Sequence, residues 1–430
     1  MEKKLWEEFG MTRRTFLRHF GIASCAITLG PFFVERFATA IAQVPERVKV
    51  FKVSNGDCFE NIDRLWAMMG GVGNYIDADD FVVIKGNGQW PYQGYTHTGC
   101  IKAVIDAILR LPGYDGEIFV CDNVQEYGGL NQTGFDATVA YRTRNWPDHN
   151  WDSLAAAYRA EGKPVAAKRW VSSQADITGP GDGEGWIRDF FAFHGRDSYL
   201  SYPVFESPLT PGCMVDVKNG VWRGGGYTGR RVKTLFMPNL NNHGSGGEDY
   251  AGVTSAVKSF FGATEIHNGG YATFRGHYNM HSTSYARSRA DYAGELTARF
   301  IRTMYAPSLY ITAAMWAGHQ SRTGGAVETK TVLACENPVT LDYVACKEVI
   351  APHAAWLDPD QDNNTRRQLT GCIAGGVGTI DPGAFEVVAY DFDRPTVHRL
   401  DVDRMIKEFE AGRATEQEVI DLIQAYMDGG

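Results

Sequence analysis

Apolar and polar residues alternate from Arg47 to Val53, the two-residue period of a half-buried strand. Behind the Asn55-Gly56-Asp57 turn, Glu60 to Met69 carries the spacing of an amphipathic helix. Phe81 to Ile84 is a short, wholly apolar run of the kind buried on both faces in parallel sheets, and it ends at Lys85. Ile101 to Leu111 is helical in pattern and stops at Pro112-Gly113, after which Glu117 to Cys121 predicts the next strand. Strand, helix, strand, helix, strand in this order predicts an α/β protein with a mostly parallel sheet and helices on both faces. From about Asn131 to Gly229 the periodicity fails, and glycines, aromatic residues and turn dipeptides predict an irregular insertion. Regular pattern returns with a strand at Val232–Met237, helices at Val253–Phe261 and Tyr292–Met304, and strands at Leu309–Ala314 and Thr331–Ala334. A helix at Pro338–Ile350 and an amphipathic tail from Val402 to Tyr426 complete the pattern.

The first 42 residues change the picture. Thr12-Arg13-Arg14-Thr15-Phe16-Leu17-Arg18 precedes an uncharged run from Phe20 to Val34, of about 15 residues and too short for the roughly 20 that span a bilayer. Ala40 and Ala42 are spaced for signal peptidase ahead of Gln43, so residues 1–42 are expected to be a twin-arginine signal peptide. A lipobox-like Ile22-Ala23-Ser24-Cys25 lies inside the apolar run rather than after it. The expectation is export of the folded chain to the periplasm, with the twin-arginine translocase as transient partner and no stable membrane anchor. Without a leader of six Lys/Arg and four Asp/Glu, the formal charge of −9 becomes −11, which argues against nucleic acid as a partner. Seven cysteines remain, none in a Cys-x-x-Cys pair, so no ferredoxin-type iron–sulfur cluster is expected. Export in the folded state suits buried, reduced thiols better than a disulfide framework.

Candidate chemistry clusters after the predicted strands, where loops of a parallel sheet converge on ligands. Lys85-Gly86-Asn87-Gly88 offers a cation and glycine-rich backbone N–H groups to an anion, and Thr96-His97-Thr98 opens the next helix with a threonine as its cap. Asn123 follows the third strand. Asn241 and His243 lie in the loop Pro238–Gly244, and Thr254 and Lys258 share one face of the helix expected next. His277 and His281 have the i, i+4 spacing of paired metal ligands if that segment is helical, with His243 as a further ligand to a divalent metal. Asp358-Pro359-Asp360-Gln361-Asp362 alternates oxygen ligands like a calcium loop, but position six is Asn363 and position twelve Leu369, so it is read as a loop leading into a helix.

Taken together these segments resemble the domain-of-unknown-function-362 family, specifically its twin-arginine-exported branch. The counterparts of its motifs are Lys85-Gly86-Asn87, Thr96-His97-Thr98, Pro238–His243, Gly252-Val253-Thr254 with Lys258-Ser259, and Asn337-Pro338-Val339-Thr340-Leu341-Asp342, spread over most of residues 48–390. Two lysines of the family pattern are replaced here by Asn239 and Asn241, Ser259 follows Lys258, and Asn337 replaces an aspartate. More distantly, the Thr-His motif resembles the nickel-dependent lactate racemase group.

The sequence therefore predicts an exported enzyme of unsettled reaction acting on a small anionic molecule at one composite strand-end site. Lys85 and Lys258 would hold the anion. His97 or His243 would move a proton or bind a metal, and Asp342 would orient one of them. The rival expectation is a non-catalytic periplasmic protein that binds a small molecule or metal in a cleft lined by Trp90, Trp222 and Tyr227.

Overall fold

The structure, a computed structural model, describes residues 47–124, 144, 146–171, 175–244, 252–266, 273–284, 289–393, 405–409, 411, 415 and 418–420. The expected leader, the first residues of the expected insertion and most of the expected tail lie outside them. Contacts divide the chain into one unit of residues 48–387 and a second formed by the terminal segments. The helical stretch 405–409 belongs to the second, and everything below concerns the first.

Strands β1 (Val48–Ser54), β2 (Phe81–Lys85), β3 (Ile118–Val124) and β4 (Val165–Val171) alternate with helices α1 (Cys58–Met68), α2 (Thr98–Leu109) and α3 (Trp151–Ala160). α1 begins where the sequence provides a reciprocal cap: Asp57 Oδ1 accepts the N–H groups of Phe59 and Glu60 at 2.7 and 2.8 Å, while Glu60 Oε2 accepts that of Asp57 at 2.9 Å. A smaller sheet follows, made of β5 (Gly185–Phe193), β6 (Arg196–Glu206), β7 (Cys213–Asp216), β8 (Gly220–Arg223) and β9 (Gly226–Tyr227). The chain returns through β10 (Val232–Phe236), β11 (Leu240–Asn242), β12 (Val253–Thr254) and the one-turn helix α4 (Ala256–Ser259). β13 (Thr273–Phe274) and β14 (His277–Tyr278) join the smaller sheet. Helices α5 (Met280–Ser284) and α6 (Ala290–Thr303), strands β15 (Leu309–Gly318) and β16 (Val327–Cys335), helices α7 (Pro338–Ala345) and α8 (Asn364–Ala374), and β17, starting at Phe385, complete the unit.

The main sheet runs β17-β1-β16-β15-β10-β2-β3-β4. Five neighbours from β15 to β4 are parallel, but β16 is antiparallel to both β15 and β1. The sheet is thus mixed rather than mostly parallel. β1 does not lie beside β2, as a simple βαβ unit would have it, but beyond β16. Alternation along β1 reports its half-buried place near that edge, while all five residues of β2 are buried because both faces of the sheet are covered. Phe81, Val83, Phe119 and Cys121 join the core shared with the smaller sheet, and Val82, Ile84 and Val120 alternate with them onto the other face.

The expected irregular segment resolves into two parts. Its first portion carries α3 and β4, which extend the main sheet, and the rest forms the smaller, largely antiparallel sheet. The helix expected over Val253–Phe261 is shorter: after Gly252, at φ +75°, Val253 and Thr254 pair with Asn242 and Asn241, and only then does α4 begin. The expected helix Pro338–Ile350 is α over Pro338–Ala345 and π-helical over Cys346–Ile350. The seven cysteines among the described residues are all buried, and burial pushes the thiols of Cys58 and Cys335 up to about 12, so both stay protonated at neutral pH.

Candidate functional site

The strand-end loops of β2, β3 and β10 are bound to one another before any ligand is considered. Lys85, the last residue of β2, is 2 % exposed; its Nζ lies 3.2 Å from Asp122 Oδ1 in β3 and donates to Ser259 Oγ at 3.2 Å. Asp122 Oδ2 accepts the Gly88 N–H at 2.7 Å. Burial lowers the pKa of Lys85 and raises that of Asp122, and each partner offsets the shift of the other. Glycine is required here by close approach. A Cβ on Gly262 would come within 2.5 Å of Asp122 Oδ1 and 2.7 Å of Lys85 Nζ, and one on Gly86 within 2.7 Å of the Trp151 ring. Lys85 is therefore a structural cation sealed inside the rim, not a group presented to a ligand.

Thr96 also acts within the framework. Its hydroxyl accepts the Asn87 N–H at 2.8 Å and donates to the Met237 carbonyl at 2.7 Å, tying the β2 and β10 loops together. It does not cap α2, whose N-cap residue is His97 without a side-chain bond. Burial alone depresses His97, to about 4, with no charged neighbour contributing, whereas His243 has Lys258, Arg322 and His281 around it. The structure thus groups His243 with His281 and separates His97 from that electrostatic neighbourhood. Asn123 Nδ2 donates to the Thr264 carbonyl at 2.8 Å.

Asp342 does not orient a histidine. Its two carboxylate oxygens accept the backbone N–H groups of Ala256 and Val257 at 2.7 and 2.8 Å, fixing the start of α4 from α7. Burial raises its pKa to about 7 against the opposing pull of those bonds. α4 is too short to persist by itself. It is held at its first turn by Asp342 and at its last residue by Lys85 through Ser259, and Lys258 is placed between those anchors.

Around Lys258 the groups with chemical potential do assemble. His243 Nδ1 lies 3.0 Å from Thr254 Oγ1, and the His243 carbonyl accepts Arg322 Nη1 at 2.8 Å. The Arg322 guanidinium sits 3.8 Å from the Trp90 ring centroid. Lys258 Nζ is 5.9 Å from the Phe261 centroid, and that ring meets His281 edge-on at 5.6 Å. Burial, then Lys258 and Arg322, hold His281 down to about 4 and His243 well below its ordinary value, so both imidazoles are neutral at pH 7. Two cations beside two neutral imidazoles form a grouping suited to an anion.

The expected i, i+4 histidine pair is not on one helix. His277 lies in β14 against Phe190, with ring centroids 4.7 Å apart, while His281 lies in α5. Among the described residues no three His, Cys, Asp or Glu side chains gather as a metal site. Trp222 and Tyr227 face each other across β8 and β9 in the smaller sheet, whereas Trp90 stands beneath Arg322.

Arg322 was absent from the sequence expectations, although its signal was present. The strand expected to end at Ala314 runs to Gly318, and Ser321-Arg322-Thr323-Gly324-Gly325 is the polar, glycine-rich loop beyond it. Asp122 and Ser259 carry no such mark, since a buried ion pair has no sequence period. Compared with protein-family models, curated proteins and solved structures, the chain matches none.

Proposed function

We propose that this protein is an exported enzyme that binds a small anionic molecule against Lys258 and Arg322 and uses His243 or His281 to carry a proton. The observation that supports it best is geometric: Arg322 donates to the His243 carbonyl at 2.8 Å, and Lys258 and His281 both lie against the Phe261 ring, so that the two cations lower both imidazoles. An anion seated there offsets the charges that depress the histidines, so their pKa values rise on binding. A neutral imidazole then takes up a proton as the ligand arrives and is able to pass it to the bound molecule. The reaction is not specified by these groups. The leader supports passage through the twin-arginine translocase to the periplasm, and the order of the strand-end motifs supports kinship with the domain-of-unknown-function-362 family.

One observation favours binding without catalysis: Lys85, Asp122 and Asp342, buried charged groups expected from the sequence to do chemistry or lying beside one that was, are engaged with one another or with backbone. Both readings need the anion. Calorimetric titration with inorganic phosphate is expected to show binding by the wild type and at least about tenfold weaker binding by Lys258→Ala, the loss of one charge-assisted contact of about 1.5–3 kcal/mol. Equal affinities would contradict the assignment.

A further inference from the structure

The side chain of Asn239 carries information about the ligand that the cations do not. It is 2 % exposed, and its amide orientation is fixed: Nδ2 donates to the Gln93 carbonyl and, at 2.8 Å, to Asn241 Oδ1. Both partners are acceptors, so the amide cannot be reversed without losing both bonds. Oδ1 is thereby left buried as an acceptor with no donor from the protein. A buried carbonyl oxygen in that state costs about 1–3 kcal/mol unless a donor reaches it from elsewhere.

Its position ties it to the proposed site. Asn241 stands opposite Thr254 in the β11–β12 pair, and Thr254 Oγ1 bonds His243 Nδ1 at 3.0 Å. Asn239 is also two residues from Met237, whose carbonyl receives the Thr96 hydroxyl. Asn87, on the other side of that Thr96 bridge, likewise has a buried Oδ1 without a donor. Gln93, whose carbonyl holds the Asn239 amide, donates through Nε2 to the Ser321 carbonyl at 2.5 Å, which ties this acceptor to the residue before Arg322.

We propose that the ligand is an anion bearing a hydrogen-bond donor, a hydroxyl or an ammonium, which Asn239 Oδ1 receives while Lys258 and Arg322 hold the anionic group. This rests on the reading that the site binds a small anion. The test is calorimetry on the full mature protein with matched ligands. Glycerol 1-phosphate is set against propyl phosphate, and 2-hydroxybutyrate and 2-aminobutyrate against butyrate. The expected result is that the donor-bearing member of at least one series binds about tenfold more tightly, and the carboxylate series shows whether hydroxyl or ammonium is preferred. Asn239→Ala is expected to remove that preference while keeping the affinity for the donor-free member. Equal binding of all members within each series by the wild type would overturn the inference, with water as the donor to Asn239, and would leave the anion site standing. Absence of binding by every ligand would overturn both. The wild-type comparison decides the matter even if the variant does not fold.

Discussion

Replacing Lys85 by methionine is expected to remove about 3–5 kcal/mol of folding stability, the loss typical of a buried ion pair deprived of one partner. Asp122 would remain in the interior with the Gly88 N–H as its firm partner and no cation at 3.2 Å. The loss should shrink as pH falls, because protonating a stranded carboxylate relieves the charge. The double variant Lys85→Met with Asp122→Leu should recover most of the stability, since apolar replacement of both partners is often neutral or better. Urea unfolding of the three proteins at neutral pH measures this. A loss below about 1 kcal/mol in Lys85→Met would show that the pair is hydrated and that Lys85 is open to ligand after all.

The second large effect is expected at Asp342. Its removal by alanine leaves the buried N–H groups of Ala256 and Val257 without acceptors, at a cost of about 2–3 kcal/mol. α4 then loses its N-terminal anchor, so phosphate affinity should fall with stability, although Asp342 touches no ligand. The ionisation of Asp342 gives a sharper signature. Its carboxyl has a folded pKa of about 7 against an ordinary value of 3.8, so the folded chain holds a proton that the unfolded chain releases. Its contribution to stability is therefore greatest at low pH. It declines as pH rises from about 4 to about 7, by up to about 1.4 kcal/mol per pH unit, and is flat above. The stability difference between wild type and Asp342→Asn, followed by urea unfolding across this range, should carry that slope. A difference independent of pH would mean that the carboxylate is ionised throughout.

Much of the element order was legible from periodicity. β2, α2 and β3 announce themselves because a fully buried strand and an amphipathic helix leave strong local patterns. What failed was non-local. Nothing in Arg47–Val53 says that its partner is β16 rather than β2, because strand order depends on contacts hundreds of residues apart. The smaller sheet was hidden by short strands and turn-forming glycines, and β12 by being only two residues long directly ahead of a helix. For the site, the polar groups that the sequence marks after the strands divide along burial. Lys85, Thr96 and Asp342 became framework, while Lys258 and His243 were joined by His281 and Arg322. Sequence shows that a lysine ends a strand. Only packing shows whether its ammonium meets Asp122 or solvent.

If Lys258 and Arg322 prepare His281 and His243 for an anion, the imidazoles themselves report on it. Following the His281 ring resonances by NMR through a pH titration should place its pKa near 4 in the unliganded protein. With saturating inorganic phosphate the midpoint should move upward by one unit or more, about 1.4 kcal/mol per unit of relief from the two cations. Lys258→Ala should start from a higher value and respond less. A midpoint for His281 that phosphate leaves unchanged in the wild type would show that no anion binds against Lys258 and Arg322.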